Sequence, residues 1–359
     1  MVPLRAEQRD AVRALLGGEA TVVGEEKLGH PAAPVTRLTF GREVEGVGRT
    51  VVVKTRRVEG DGHGGPAYLR REEAALRAVA ELGVAPRLIA ADQDAGVVVT
   101  SDLGTWPTLE DLLLGDDAEA AAQALVAFGT TVGRLHAGTA TDVGSPLPWP
   151  GAERWEDVEA ACKELGLPDA RVAAEDAAFI AAQFAAPGAY GVLAHNDLNP
   201  GNAVVTPDGV RLVDFEGAGH GHLGFDASFL HFPFPTYSAH WATIPGHVTH
   251  EADRAYRAAL AGEGLGRAIA VGAAAALAVR VQRLYVLASG DQPALTRWRR
   301  RAQLVQQIGV FTRLAGEAGM LAGMAGWFER LAGAMAKRWP DATDPAPAVF
   351  PAFQKRTNS

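Results

Sequence analysis

Cysteine is almost absent from this chain, since its 359 residues include only Cys162. A single thiol excludes an internal disulfide framework and is compatible with a reducing cytosol. A long apolar run is also missing. The most apolar stretch, residues 268–279, is flanked by arginines and is too short to cross a membrane. The N-terminus lacks the basic-then-apolar pattern of a signal peptide. These absences predict a cytoplasmic protein with no membrane partner.

Positive charge is scarce over most of the sequence. The formal net charge is −8, and residues 1–250 contain 19 basic and 34 acidic side chains, whereas residues 251–338 contain 13 and 6. An acidic bulk argues against nucleic acid as the main partner, because phosphate backbones require a basic face. Together, the length and the 48% hydrophobic content predict a large core divided between two domains.

The first hundred residues have the pattern of a small antiparallel sheet with helices beside it. Strand-like segments lie at 21–23, 36–40, 50–53 and 97–100, with a short helix at 6–16. Lys54 ends the third strand, and a helix is predicted from Pro66 to about Leu82. Glu72 falls on the apolar stripe of that helix. Because a buried carboxylate requires a cation, we expect Glu72 to pair with Lys54.

A polar loop followed by a hairpin contains the residues best suited to chemistry. His195, Asp197 and Asn202 lie in the loop, and an apolar strand from residue 210 to residue 213 leads to Asp214. Two carboxylates and an amide oxygen are the hard ligands that Mg²⁺ prefers, and one carboxylate can instead accept a proton from an attacking hydroxyl. We therefore expect these side chains to share a divalent ion. The alternative is a polar hairpin whose Asp and Asn residues only shape turns.

The spacing His195, Asp197, Leu198, Asn202 matches the kinase catalytic-loop pattern H-x-D-L-x-x-x-N. The run HNDLNPGN, followed by LVDFE and GFD, resembles the superfamily of aminoglycoside phosphotransferases and choline kinases, which are small-molecule kinases. This resemblance implies a bilobal, protein-kinase-like α+β fold. It has an N-terminal antiparallel sheet lobe with one helix and a larger, mainly helical C-terminal lobe.

The resemblance also implies a role for each matching residue. Asp197 would be the catalytic base, and Asn202 and Asp214 would bind Mg²⁺. Lys54, fixed by Glu72, would bind the α and β phosphates of ATP, with GTP as a possible substitute.

Residues around these positions match the family as well. Ser101 and Leu103 lie in the segment that corresponds to the hinge whose backbone holds the adenine. Glu216 stands where choline kinases have the glutamate of DFE and would assist metal binding. Asp226 resembles the aspartate that braces the catalytic loop, and His136 would be structural.

The chain departs from the pattern at its glycine-rich segments. Residues 28–34 contain one glycine and two prolines, which makes a weak phosphate cradle and leaves more of the binding to Lys54 and the metal. Residues 60–65 match G-x-G-x-x-G, but six mostly polar residues separate them from the strand, so a flexible connection explains them better than a dinucleotide-binding turn. The short interval between Asp214 and Asp226 leaves no room for a protein-kinase activation loop. A small-molecule acceptor is therefore favoured.

Two further features bear on the acceptor. Seven of the ten histidines lie between residues 195 and 250 without a zinc-binding spacing. We interpret some of them as lining an acceptor pocket together with Phe234, Tyr237 and Trp241.

Arg297, Arg300 and Arg301 form a cationic stripe, which is usually a solvated face. If the stripe faces the site, it disfavours a polycation such as an aminoglycoside and suits a neutral or anionic acceptor.

Sequence therefore predicts a nucleotide-binding lobe at 1–104, a catalytic and acceptor-binding lobe at 105–339 and an irregular tail at 340–359. The predicted activity is ATP- and Mg²⁺-dependent transfer of the γ-phosphoryl group to a hydroxyl of a small molecule. Because the resembled phosphotransferases often inactivate drugs, the favoured acceptor is a hydroxylated antibiotic that is nucleoside-like or sugar-containing, with an aminoglycoside as a further option. Its modification would give resistance. The alternatives are a metabolic kinase for choline, a sugar or homoserine, and a non-catalytic binding module. The sequence does not specify an oligomeric state.

Overall fold

The computed structural model of the chain describes residues 4–18, 20–29, 35–56, 66–140, 155–232, 242–262, 264–281, 284–288, 300–343 and 349–354. The chain divides into two compact units. The first consists of Met1–Trp106 with Arg211–Ala218, and the second of Pro107–Val210 with Gly219–Ser359. Sequence reasoning placed residues 105–339 in one domain, whereas residues 211–218 are part of the first unit.

The first unit is built on a five-stranded antiparallel sheet of order β1-β2-β3-β5-β4. The strands are β1 (Val22–Lys27), β2 (Val35–Val44), β3 (Gly48–Thr55), β4 (Leu88–Asp92) and β5 (Val97–Ser101), and the helices are α1 (Ala6–Leu15) and α2 (Pro66–Ala78). Sequence reasoning missed β4. All five residues of β4 are partly buried, so the strand lacks the alternation of buried and exposed residues by which a half-buried strand is recognised.

Strand β3 directs its side chains to two different environments. Val51 and Val53 are fully buried in a hydrophobic cluster with Leu38 and Phe40 of β2. Because side chains alternate along a strand, Lys54 lies on the opposite face from Val53. Lys54 is itself buried. This alternation places a cation within a mostly apolar sheet.

The second unit is mainly helical. Its helices are α3 (Leu109–Leu114), α4 (Ala118–Gly138), α5 (Trp155–Leu165), α6 (Ala174–Ala185), α7 (Leu223–Ser228), α8 (Gly246–Leu260), α9 (Leu265–Val281), α10 (Leu284–Ala288), α11 (Arg300–Ala318) and α12 (Ala322–Arg338). Strands β6 (Gly191–Ala194) and β9 (Gly219–His222) pair antiparallel. Strands β7 (Ala203–Thr206) and β8 (Gly209–Leu212) form a two-stranded hairpin, and the last two residues of β8 are counted with the first unit. Helix α3 ends at Gly115, and α4 begins at Ala118.

Small residues allow the central helices of this unit to pack backbone against backbone. A Cβ at Gly129 would lie 2.4 Å from Ala252 O, and one at Gly133 would lie 2.6 Å from Tyr256 O, so α4 and α8 are in close contact. A Cβ at Gly224 of α7 would lie 1.9 Å from Ala268 O of α9. These contacts fix α7 and α8, which contain Asp226 and Tyr256.

Arg301 does not have the solvated position that is usual for a cationic stripe. Its Nε and Nη2 donate to the Leu287 carbonyl at 2.8 and 2.5 Å, and its guanidinium lies 4.6 Å from the centre of the Trp339 ring. Only 8% of Arg301 is exposed. Arg297 and the side chain of Arg300 lie outside the described part of the structure. Arg301 is thus a core residue that stabilises the end of α10.

Among the described residues, no single helix is long and apolar enough to cross a membrane. Helices α8 and α9 together meet that test by length and composition alone, but they are bent by 120° at their junction.

The described part of the C-terminal tail contains 3₁₀ turns at Pro340–Ala342 and Pro351–Phe353. Phe350 is fully buried, and its N–H donates to Thr243 O at 3.0 Å.

Candidate active site

Lys54 is the centre of a charged cluster in the first unit. Its Nζ lies 2.7 Å from Glu72 Oε2 and 2.9 Å from Glu216 Oε2, and it also contacts Asp214 Oδ1. Arg56 contacts the same Oε2 atom of Glu216. We call these five residues, Lys54, Arg56, Glu72, Asp214 and Glu216, the charged cluster. Sequence reasoning identified four of them and missed Arg56.

The ion pair between Lys54 and Glu72 confirms the pairing predicted from the apolar stripe of α2. Both side chains are more than nine-tenths buried. Burial raises the pKa of Glu72, and the positive charge of Lys54 opposes that increase. The carboxylate therefore depends on Lys54 to remain ionised.

Asp214 and Glu216 enter the cluster through a tight turn after β8. Asp214 has a left-handed backbone with φ of 66°, which is uncommon outside glycine but tolerated by aspartate. A 3₁₀ turn at Phe215–Gly217 follows, and the Phe215 side chain is fully buried. Asp214 and Glu216 contact Lys54, while the apolar ring between them anchors the turn.

The carboxylates of the cluster have the chemistry of a magnesium site. Ligand atoms from Glu72, Asp214 and Glu216 all lie within 4.8 Å of one another. Carboxylate oxygens are the ligands that Mg²⁺ prefers, so these residues fit the predicted metal. This set was the only such group of three or more found among the described residues, and it contains no histidine. Asn202, the other predicted ligand, belongs to the second unit, so an ion shared with Asp214 remains a prediction.

The predicted hinge is stabilised by an arginine from β2. Arg37 forms a two-point ion pair with Asp102, with Nε 2.6 Å from Oδ2 and Nη2 3.1 Å from Oδ1, and it also donates to Gly104 O. Burial alone would raise the pKa of Asp102, but hydrogen bonds from Arg37 and Gly104 outweigh burial and lower it. Ser101 exchanges hydrogen bonds with the backbone of Arg87 through its N–H and Oγ. Adenine binding by Ser101 and Leu103 remains a prediction.

Asp197 belongs to the catalytic loop of the second unit, which we define as residues 195–202. The loop follows the buried strand β6. The Asp197 carboxylate accepts hydrogen bonds at Oδ2 from Asn199 Nδ2 at 3.2 Å and from Asn202 Nδ2 at 3.0 Å. The Asn202 amide also donates to Asp197 O at 3.0 Å. Two neutral amides therefore orient the carboxylate, and the Asn202 oxygen is left as the atom that could bind a cation.

Asp226 braces the start of this loop from α7. Its Oδ2 accepts the backbone N–H of His195 at 2.6 Å, and its Oδ1 accepts the N–H of Asn196 at 2.9 Å. Asn196 has φ of 63°, a strained conformation that the brace helps to hold. Asp226 is completely buried. The supporting role implied by the resemblance is thus visible as two hydrogen bonds.

The brace is itself supported by a buried pair of side chains. His136 Nε2 lies 3.2 Å from Asp226 Oδ2, and His136 Nδ1 lies 3.0 Å from the Tyr256 hydroxyl. Burial and the charges of Asp226 and Asp253 raise the pKa of Tyr256, so its hydroxyl keeps its proton. The two ring nitrogens of His136 therefore link Asp226 of α7 to Tyr256 of α8. Sequence reasoning called His136 structural but did not identify Tyr256.

Several predicted positions lie outside the described residues. They include most of the glycine-poor segment 28–34, the segment 60–65, and the predicted pocket residues Phe234, Tyr237 and Trp241.

The chain is similar to known proteins in both sequence and fold. The family model described as "Phosphotransferase enzyme family" matches residues 37–271. No curated protein matches the sequence. A choline/ethanolamine kinase family protein from Mesorhizobium loti is 18% identical with a TM-score of 0.52, covering 89% of this chain and 99% of its own.

Two ligand complexes have a similar fold. LicA, a choline kinase of Streptococcus pneumoniae, in complex with AMP is 14% identical with a TM-score of 0.51, covering 91% of this chain and 100% of its own. The ternary complex of streptomycin, ATP and APH(2")-IIa is 14% identical with a TM-score of 0.50, covering 89% and 100%. At these identities the likeness is one of fold, and it confirms the predicted kinase-like α+β class.

Proposed function

The chain belongs to the phosphotransferase enzyme family, and we propose that it transfers the γ-phosphoryl group of ATP to a hydroxyl group of a small molecule in the presence of Mg²⁺. The resemblance inferred from HNDLNPGN and LVDFE is confirmed by the family match. The nucleotide, the metal and the acceptor are the proposed part.

The observation that carries the proposal is the position of the Asp197 carboxylate. Two amides hold Oδ2, and Asp226 braces the backbone immediately before Asp197. A carboxylate fixed in this way can orient an acceptor hydroxyl and accept its proton as the phosphoryl group is transferred, which is worth about 10² to 10⁴ in rate.

The charged cluster supports the nucleotide part of the proposal. Lys54 would bind the α and β phosphates, with Glu72 keeping it in position. Asp214 and Glu216 would hold Mg²⁺, and Asn202 is proposed as a further ligand. When bound, the metal neutralises negative charge on the transferring group. Complexes of related folds with AMP and with ATP favour an adenine nucleotide over GTP.

Among acceptors, we propose a hydroxylated antibiotic, whose modification would give resistance. The streptomycin complex of APH(2")-IIa shows that this fold can bind such a drug. A choline/ethanolamine kinase family protein has the same fold, so metabolic alcohols are the second class to test. The cationic stripe no longer guides this choice, because Arg301 is buried against Trp339.

The test is a comparison of Asp197→Ala with Asp208→Ala, which alters an exposed carboxylate in the turn of the β7–β8 hairpin that follows the catalytic loop. ATP consumption would be measured with a panel of aminoglycosides, macrolides, nucleosides, sugars, choline and homoserine. We expect the wild type and Asp208→Ala to turn over at least one acceptor. Asp197→Ala should be at least about hundredfold slower while retaining the thermal shift produced by ATP and Mg²⁺.

Unchanged turnover in Asp197→Ala would reject the assigned role. Binding of ATP and Mg²⁺ without consumption on any acceptor would favour the non-catalytic alternative.

A further inference from the structure

Arg56 is a cation beside the proposed phosphate-binding lysine that matches no part of the motif. It lies two residues beyond Lys54, just after β3, and its N–H still donates to Gly96 O at 2.9 Å, which extends the pairing of the strand. Residues two apart on a strand direct their side chains to the same face. Lys54 and Arg56 therefore reach the same carboxylate, Glu216.

The charge of the cluster favours a change of partners when a metal binds. With all five groups ionised, three carboxylates face two cations, and the formal charge is −1. A divalent cation would change that charge to +1 and take oxygens that now contact Lys54 and Arg56. Both cations would then attract an anion, because a local excess of positive charge in a partly buried site is costly.

The guanidinium of Arg56 has hydrogen-bonding capacity that the described residues do not use. Its Nε is buried and has no hydrogen-bond partner in the described part of the chain. A buried donor without a partner is unfavourable. A planar guanidinium can donate two parallel hydrogen bonds to a phosphate, which a lysine ammonium cannot do. Phosphate is thus the ligand class that would satisfy this donor.

We propose that Arg56 is a second cationic ligand for the phosphate groups of the nucleotide and is held on Glu216 until the metal and nucleotide bind. The inference rests on the proposed function, because it assumes that the charged cluster binds a nucleotide. It adds a residue to that site and gives Glu216 a role in the metal-free protein.

Isothermal titration with a non-hydrolysable ATP analogue and with adenosine, each with Mg²⁺, tests the proposal. The variants are Arg56→Gln and Arg56→Lys, and the control is Arg49→Gln, which removes an exposed arginine from β3, the strand that Arg56 follows. We expect Arg56→Gln to bind the analogue about tenfold more weakly, the size of one charge-assisted hydrogen bond. Adenosine, which has no phosphate, should bind unchanged. Arg56→Lys should lose less affinity, and Arg49→Gln none.

The outcomes separate this inference from the proposed function. If the wild type binds the analogue and both Arg56 variants bind it equally well, Arg56 is only a structural partner of Glu216. An equal loss for adenosine and the analogue would also assign Arg56 a structural role. A wild type that binds no analogue would overturn the proposed function and this inference together. Should Arg56→Gln lose its cooperative melting transition, Arg56→Lys decides, and its equality with the wild type would overturn the proposal.

A second titration without metal, in EDTA, tests the hold exerted by Glu216. Glu216→Gln removes the carboxylate that holds Arg56. In the absence of metal, the analogue should therefore bind to Glu216→Gln about threefold to tenfold more tightly than to the wild type. The double variant Arg56→Gln/Glu216→Gln should lose this gain. A gain that persists in the double variant would come only from removing a negative charge and would overturn the proposed hold.

Discussion

The charged cluster of the first unit and the catalytic loop of the second hold their carboxylates in opposite ways. Asp214 and Glu216 are held by ion pairs with flexible cations, and Lys54 contacts three carboxylates. Asp197 is instead held by two neutral amides, on a backbone fixed by Asp226. The loop is preorganised by hydrogen bonds, whereas the cluster is balanced by charge.

This difference matches the two tasks in the proposed reaction. A general base must keep one geometry, and hydrogen bonds to backbone and amide groups provide it without adding charge. A phosphate and metal site must exchange partners when its ligands arrive, and ion pairs can rearrange for that purpose. Removing charge should therefore disturb the cluster most, whereas removing one hydrogen-bonding atom should disturb the loop.

The largest expected effect is in the cluster. Lys54→Met leaves Glu72 buried without its cation and should lower the free energy of unfolding by about 3 to 5 kcal/mol. Lys54→Met/Glu72→Leu replaces the pair with apolar groups and should recover most of that loss. Urea denaturation at pH 8 measures both variants. Equal stability of the single and double variants would show that Glu72 does not depend on Lys54.

The next effect is in the strand beside the loop and depends on pH. His222 is buried against Phe184, and burial, with a smaller contribution from His136, lowers its pKa from 6.5 to about 4. Its Nδ1 also accepts the N–H of Gly224. As pH falls, the unfolded chain binds this proton first, so the stability present above about pH 6.5 is lost between pH 6.5 and 4.

His222→Asn retains a capping oxygen for Gly224 but removes the titrating group. Between pH 7 and 4, the wild type should lose about 3 kcal/mol more unfolding free energy than His222→Asn. Urea denaturation across that pH range gives the two slopes. Parallel slopes would mean that His222 does not resist protonation.

The smallest effect concerns the brace itself. Asp226→Asn keeps one acceptor but turns an amide N–H toward a backbone donor, so either His195 or Asn196 loses its hydrogen bond. We expect kcat to fall about thirtyfold, equivalent to about 2 kcal/mol for one charged hydrogen bond. The dissociation constant for ATP with Mg²⁺ should change less than about twofold. A loss of nucleotide affinity with unchanged kcat would contradict the separation of the two tasks.

Much of this chemistry could be predicted because it is local in sequence. His195, Asp197 and Asn202 have their identities and spacing within one loop, and Glu72 falls on the buried stripe of one helix. The helical periodicity predicted that Glu72 is buried, and a buried carboxylate requires a cation such as Lys54. The fold class was implied by the family resemblance that these motifs carry.

Other residues could not be predicted, because their importance depends on distant partners. Tyr256 and His136 meet only because Gly129 and Gly133 bring α8 against α4. Arg301 was grouped with its neighbours as a surface stripe, but the Leu287 carbonyl and the Trp339 ring bury it. Strand β4 was missed because its residues do not alternate between buried and exposed positions, and its place in the sheet depends on pairing with β5.

By itself, the sequence determined which functional groups are present and the order in which they enter the fold. It specified the aspartate and the amides of one loop, a strand lysine and two acidic residues flanking a buried phenylalanine. Tertiary structure alone decided which opposite charges form ion pairs, including the two ion pairs that Glu216 forms with Lys54 and Arg56. The physical reason is that a residue's local pattern determines the direction of its side chain, whereas electrostatic energy depends on distances that only the folded chain sets.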